Sequence, residues 1–288
     1  MPGDWFRKEH FSSLISSLYD TYHLLEAIVQ DAYNLYKENN YEESDEWFEK
    51  AQKYIYEVLN KKNSKWRDNA LLPVARYFCD TGKYNKAIEI LKDIHHGEQT
   101  IFLFKRIAEH YIEDNEFEEA EMVVKEAQYT CENAKEKMNA WDQYVPAELA
   151  LLIFSLGKKD EVEKEIEKIG REHIRIHTLA RIAVKNHEKG HKKEAKEQLE
   201  ALYREALNVT DRWSRKVQSL ARLAQAHNRI GNSKVRDEIM GRAIDGMVWS
   251  KYANDYDDSL SDIVVAWAEM GELKKALQML DEVSTNQT

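Results

Sequence analysis

Along residues 177 to 200, HTLARIAVKNHEKGHKKEAKEQLE, apolar positions recur at helical rather than strand spacing. Leu179, Ile182 and Ala183 share one face before Gly190, and Ala195, Leu199 and Leu202 share one face after it. Glycine adopts a left-handed backbone without a Cβ penalty, so Gly190 ends the first helix and lets the second fold back on it. The pattern predicts a helical hairpin, and a lone hairpin cannot bury its apolar face. Its neighbours lie along the same chain. Aligning turns gives Asn39, Gly82, Asn115, Gly157, Gly190, Gly231 and Gly271. Seven residues before each stands a small or slim side chain: Ala32, Ala75, Ala108, Ala150, Ala183, Ala224 and Val264. Five after come Ser44, Ala87, Ala120, Val162, Ala195, Arg236 and Ala276, with Arg236 the exception. Four further on stand Phe48, Leu91, Val124, Ile166, Leu199, Met240 and Leu280.

Small residue, Gly or Asn turn, Ala, large apolar residue and then a second small or aliphatic residue (Ala51, Ala127, Ala243) resembles the tetratricopeptide (TPR) repeat over nearly the whole chain. The closest copies are NNYEESDEWFEKAQ from Asn39, TGKYNKAIEIL from Thr81 and DNEFEEAEMVVKEA from Asp114. The family's closing proline is missing, and turns lie 43, 33, 42, 33, 41 and 40 residues apart rather than about 34. The resemblance implies an all-α, right-handed solenoid of about seven hairpins, spanning residues 1–288 as one domain. A leading helix is expected over 1–21, a loop with a helix start over 250–259, and fraying over 284–288.

In that family the first helix of each hairpin lines a groove that holds a peptide or a partner helix. Carried over by position, the groove residues are Tyr33, Tyr36, Arg76, Lys105 and Glu109, followed by Tyr144, Leu151 and Phe154. His177, Val184, His187, Gln218, Gln225 and Arg229 complete the set. Tyrosine and arginine are frequent anchors of interface energy, which fits protein recognition. The Lys and Asn set with which some members clamp a C-terminal carboxylate is not reproduced, which argues against a chaperone-tail adaptor.

Ten Gly and three Pro in 288 residues favour helix throughout. The net charge of −10 works against generic binding to nucleic acid or an anionic membrane. Charge is unevenly spread: residues 1–156 hold 18 Lys or Arg against 29 Asp or Glu, residues 157–250 hold 21 against 15, and residues 251–288 hold 3 against 8. The basic middle, with Arg171, Arg175, Arg181, Lys185, Arg215, Lys216 and Arg222, reads as a solvated face or as a docking surface for an acidic protein or nucleic acid. No apolar leader opens the chain and no run reaches about 18 apolar residues, so no membrane partner is expected and the expected location is cytoplasmic. Cys79 and Cys131 lack disulfide or zinc spacing and read as buried thiols.

His187-Glu188-Lys189-Gly190-His191 matches the HExxH pattern of zinc peptidases, but Gly190 is the hairpin turn and should put His191 beyond the helix that carries His187. A metal-dependent hydrolase is the minor alternative. His173 and His177 lie one helical turn apart with no third ligand nearby in sequence, and His95 and His96 read as a loop. There is no phosphate loop, nucleophile elbow or CxxC pair. The acidic runs at 42–46 and 116–121 open second helices, where they suit the helix dipole. The expected function is a non-enzymatic protein-binding scaffold, adaptor or regulatory subunit without a cofactor. A nucleic-acid-associated regulator using residues 157–250 is the alternative. Nothing after Leu280 resembles a polar capping helix, so self-association through the last hairpin is a further candidate.

Overall fold

The computed structural model describes residues 18–59, 64–94, 97–134, 144–210, 212–251 and 255–285, and no strand occurs among them. Fourteen helices pair as seven hairpins among these residues, the all-α array expected from the sequence. They are α1 (Leu18–Lys37) with α2 (Tyr41–Leu59), α3 (Ser64–Asp80) with α4 (Tyr84–Lys92), and α5 (Gly97–Glu113) with α6 (Phe117–Ala134). Next come α7 (Tyr144–Ser155) with α8 (Lys159–Glu167), and α9 (Glu172–Glu188) with α10 (Lys192–Leu207). The last are α11 (Trp213–Arg229) with α12 (Ser233–Ser250), and α13 (Tyr256–Glu269) with α14 (Leu273–Thr285). The leading helix expected over 1–21 lies outside the described residues, apart from the four that open α1. Of the tail expected to fray, Ser284 and Thr285 close α14.

Asn39, Gly82, Asn115, Gly157, Gly190, Gly231 and Gly271 all hold a positive φ, from 62° at Asn39 to 97° at Gly190. The bonding around them is a Schellman closure. The His191 amide donates to the Asn186 carbonyl at 3.0 Å, and the equivalent bond joins Asn40 to Leu35, Lys83 to Phe78 and Glu272 to Trp267. These bonds satisfy carbonyls that the helix end would leave orphaned. Across each turn the small residues bring the two helices close. Ala32, Ala75, Ala108, Ala150, Ala183 and Ala224 are all fully buried, as are Ser44, Ala87, Ala120 and Ala195 on the returning helices. The Ser44 hydroxyl donates to the Ala32 carbonyl at 2.8 Å, which measures how near the two positions lie. Arg236 is tolerated because its guanidinium reaches across to neighbouring elements, donating to Asn228 Oδ1 on α11 at 2.9 Å and pairing with Glu272 after Gly271 at 3.4 Å.

The chain groups into two compact units, Met1–Val145 and Pro146–Thr288. In the first, Phe48 and Tyr77 stack at 3.6 Å between ring centroids, and Tyr33 meets Phe48 edge-on at 5.1 Å. The Tyr77 hydroxyl donates to Asp45 Oδ1 at 2.7 Å, so the ring is buried without an orphaned oxygen. Burial alone would raise the Asp45 carboxyl, but hydrogen bonds from Lys83 and Tyr77 hold it below its usual range. In the second unit the core is continuous from Ile176 and Ala180 on α9, through Val217, Leu220 and Ala224 on α11, to Ile263 and Trp267 on α13.

A methyl group added at Gly190 would meet no atom within 4 Å, so a substitution there costs backbone strain alone. Gly190→Ala is expected to destabilise the chain by about 1 kcal/mol. Gly241→Ala, inside α12 with the same open space, is expected to stabilise it by about 0.5–1 kcal/mol. Urea titrations followed by circular dichroism measure both; like signs at the two sites contradict the left-handed closure.

Candidate functional site

Within residues 1–145, the expected groove positions divide between core and surface. Tyr33 is half-buried, its hydroxyl donating to the Pro73 carbonyl at 3.3 Å, and burial pushes its ionisation up to about 12. It is a packing residue that also borders a cavity of about 520 Å³ with Leu25, Val29 and Ala70. Tyr36 packs edge-on against Tyr41 and Tyr77, at 5.4 and 5.6 Å. Arg76 is exposed, and Lys105 lies 3.9 Å from Glu109 on its own helix. Between α5 and α3, Arg106 pairs with Asp80 at 2.7 Å.

Within residues 146–288 the first helices carry a denser arrangement. Their register brings polar side chains from successive hairpins together across the seams between helices. Arg181 Nη1 donates to Glu148 Oε1 at 2.5 Å, joining α9 to α7. Lys185 donates to Ser155 Oγ at 3.1 Å along the same seam. Between α11 and α13, Gln218 donates to Asp262 at 3.3 Å, Gln225 donates to Glu269 at 2.6 Å, and Arg222 pairs with Glu269 at 3.2 Å. His177 is half-buried beside this row. Its pKa is pushed down to about 3, first by desolvation and then by the cations Arg181 and Arg222, so the ring is neutral at physiological pH. Arg229, on the last turn of α11, is exposed.

Three expected groove residues face inward instead. Leu151, Phe154 and Val184 are 2%, 6% and 4% exposed, because α7 and α9 use those positions to fill the core. Lys189 lies over the Phe154 ring at 4.7 Å. Tyr144 opens α7 and is half-buried, and His187 occupies the last turn of α9 in the same state. Glu148, Asp262 and Glu269 were absent from the expected set although they complete the polar row. A signal existed: nine residues before successive turns stand Glu148, Arg181, Arg222 and Asp262, all charged.

The basic patch is largely committed to partners within the chain. Arg175 pairs with Glu205, Arg181 with Glu148 and Arg222 with Glu269, while Lys216 donates to the Leu207 carbonyl at 2.5 Å. Arg171 and Arg215 are half-buried. His187 and His191 lie on opposite sides of the Gly190 turn, with α9 ending at Glu188. Among the described residues no group of three or more His, Cys, Asp or Glu is gathered to hold a metal. His95 and His96 lie outside the described residues. Cys79 and Cys131 are buried and form no disulfide, and burial pushes the Cys79 thiol up to about 12, which makes it a poor nucleophile. No helix among the described residues is long and apolar enough to cross a membrane.

No protein-family model and no curated protein matches the chain. Among solved structures it is similar to a crystal structure of a protein from Podosopora anserina described as having nearly identical TPR-like repeats. The two are 14% identical, the match covers 80% of this chain and 98% of the other, and the TM-score is 0.37. A likeness that loose says nothing about a partner or an activity of this chain.

Asp262 supplies the clearest test of the polar row. Burial raises its pKa to about 6, against the opposing influence of the Gln218 hydrogen bond and Arg222. The folded state therefore holds a proton that the unfolded chain has released between about pH 4 and 6, and above pH 6 the buried charge costs stability. Asp262→Asn keeps the acceptor for Gln218 and removes the charge. It is expected to stabilise the protein by about 1 kcal/mol at pH 7, with the gain vanishing by about pH 4. Thermal melts of both proteins across that range check it; a pH-independent difference contradicts the assignment.

Proposed function

We propose that the chain is a non-enzymatic scaffold that holds a segment of another protein on the first-helix face of residues 146–288. The polar row across α7, α9, α11 and α13 is the observation that supports this reading. Its side chains are fixed by one another before any partner arrives, so less rotamer freedom is lost on binding. Arg222 and Gln225 are held by Glu269, and the cations Arg181, Arg222 and Arg229 all bear on neutral His177. A partner segment that presents a carboxylate to exposed Arg229, with Arg222 and Gln225 held in place beside it, fits this face. Arg229, with its exposed guanidinium, is the anchor. A role in nucleic-acid binding draws less support, because the cations that would neutralise phosphates already face carboxylates.

The tagged chain, recovered from its native cells after nuclease treatment, is expected to bring down one stoichiometric protein. Arg229→Glu combined with Gln225→Ala is expected to reduce that recovery at least about tenfold, the usual loss at an interface anchor. Quantitative mass spectrometry of the two preparations reads the outcome. Recovery that disappears with nuclease, or that is unchanged in the variant, contradicts the proposal.

A further inference from the structure

Between the second helices α8 and α10, the packing of residues 146–288 opens into a cleft of about 610 Å³. Nine residues after the turn, Phe48, Leu91, Leu199 and Met240 are fully buried, while Leu280 in the last hairpin is exposed. Ile166, at that position in α8, is only half-buried, and so is Leu179 beneath it on α9. The short length of α8 does not account for this, since α4 also has 9 residues and buries Leu91 fully; what differs is the helix that faces the gap. The side chains that α10 turns toward it are Glu194, Glu197 and Gln198, which cannot fill an apolar gap. The floor is therefore apolar, made by Val162, Ile166, Leu179 and Ile182.

The rim is acidic. Glu163 and Glu167 stand one turn apart on α8, facing Glu194 and Glu197 on α10. Glu197 pairs only loosely, with Lys193 at 3.8 Å and both side chains largely exposed. Lys159 is the one cation among the lining residues. This concentration of carboxylates sits in the stretch of chain that is otherwise most basic. Like charges one turn apart repel, and an open apolar floor favours a cover.

We propose that this cleft is a docking site for an amphipathic helix of another protein, with apolar residues one turn apart entering the floor and flanking Lys or Arg residues meeting the rim. Two helical walls make a trough suited to a helix, and its volume holds a few anchoring side chains rather than a folded domain. A second copy of the chain, with net charge −10, would bring an acidic surface to an acidic rim. The cleft shares none of the residues of the polar row, so either site can fail without the other.

The test uses the full chain and a fluorescein-labelled Leu/Lys peptide of about 18 residues, patterned to form an amphipathic helix, read by fluorescence anisotropy. A Leu/Glu peptide of the same pattern serves as the comparison. We expect the Leu/Lys peptide to bind and the Leu/Glu peptide not to bind. Changing Glu163, Glu167, Glu194 and Glu197 together to Gln preserves side-chain shape and helix propensity, and is expected to weaken binding at least about tenfold. Ile166→Ser is expected to weaken it as well. Changing exposed Glu38, Glu42, Glu116 and Glu118 to Gln removes the same total charge elsewhere and is expected to shift affinity by less than about twofold. Three results overturn the proposal: no binding of the Leu/Lys peptide, equal losses in the two Gln variants, or a concentration-dependent dimer of the chain that only the rim variant abolishes. The last would place a second copy in the cleft.

Discussion

The close contact of small side chains across each hairpin turn is the constraint on which the rest of the structure depends. Ala183 and Ala195, like Ala75 and Ala87, are fully buried on the two arms of their hairpins. That approach is possible only if the intervening residue is left-handed, because the returning helix must start within a turn of where the first one stopped. With the two helices pressed together, their outer apolar stripes cannot be satisfied within one hairpin. They are covered by the next hairpin in the same unit, as Leu220 and Ala224 on α11 join Ile263 and Ala266 on α13 in one core. Stacking is therefore a consequence of the turn chemistry together with the apolar stripe, and each added hairpin repeats it.

Stacking also decides where polar groups end up. When successive first helices lie side by side, one register position on each meets the neighbouring helix at a seam. In residues 146–288 that position is charged on four successive hairpins, and the charges meet partners of opposite sign or amides: Glu148 with Arg181, Arg222 with Glu269, Asp262 with Gln218. Partly buried pairs of this kind contribute modestly to stability but fix side-chain positions. The cleft between α8 and α10 is the converse case. There the seam positions are Glu194, Glu197 and Gln198 opposite apolar Ile166, and the stack does not close.

Much of the fold was legible in the sequence because turns and small residues report backbone geometry directly. All seven aligned turn positions carry a positive φ, including the two asparagines, which tolerate it at low cost. The candidate site was less legible. Family position alone places Leu151 and Phe154 at a groove, yet both are buried, because an amphipathic helix packed on several sides presents a narrower free face than a generic repeat suggests. Tyr33 and Tyr36 are packing aromatics, since Phe48 on α2 and Tyr77 on α3 of the next hairpin supply rings at the right distance. The basic middle looked available for phosphates when counted along the chain, but its charges are compensated by residues up to 47 positions away, a pairing that only the folded chain reveals. The acidic cleft was hidden for the same reason, as its four glutamates come from two helices separated by a whole first helix.

The first-helix face of residues 146–288 is the surface proposed to meet a partner protein. Hydrogen exchange measured by mass spectrometry, on the free chain and on its nuclease-treated native complex, tests that claim most directly. Slower exchange on binding is predicted in α9, α11 and α13 around His177, Arg222 and Arg229, with the second helices of residues 1–145 unchanged. Protection confined to second helices, or to the first three hairpins, would contradict it.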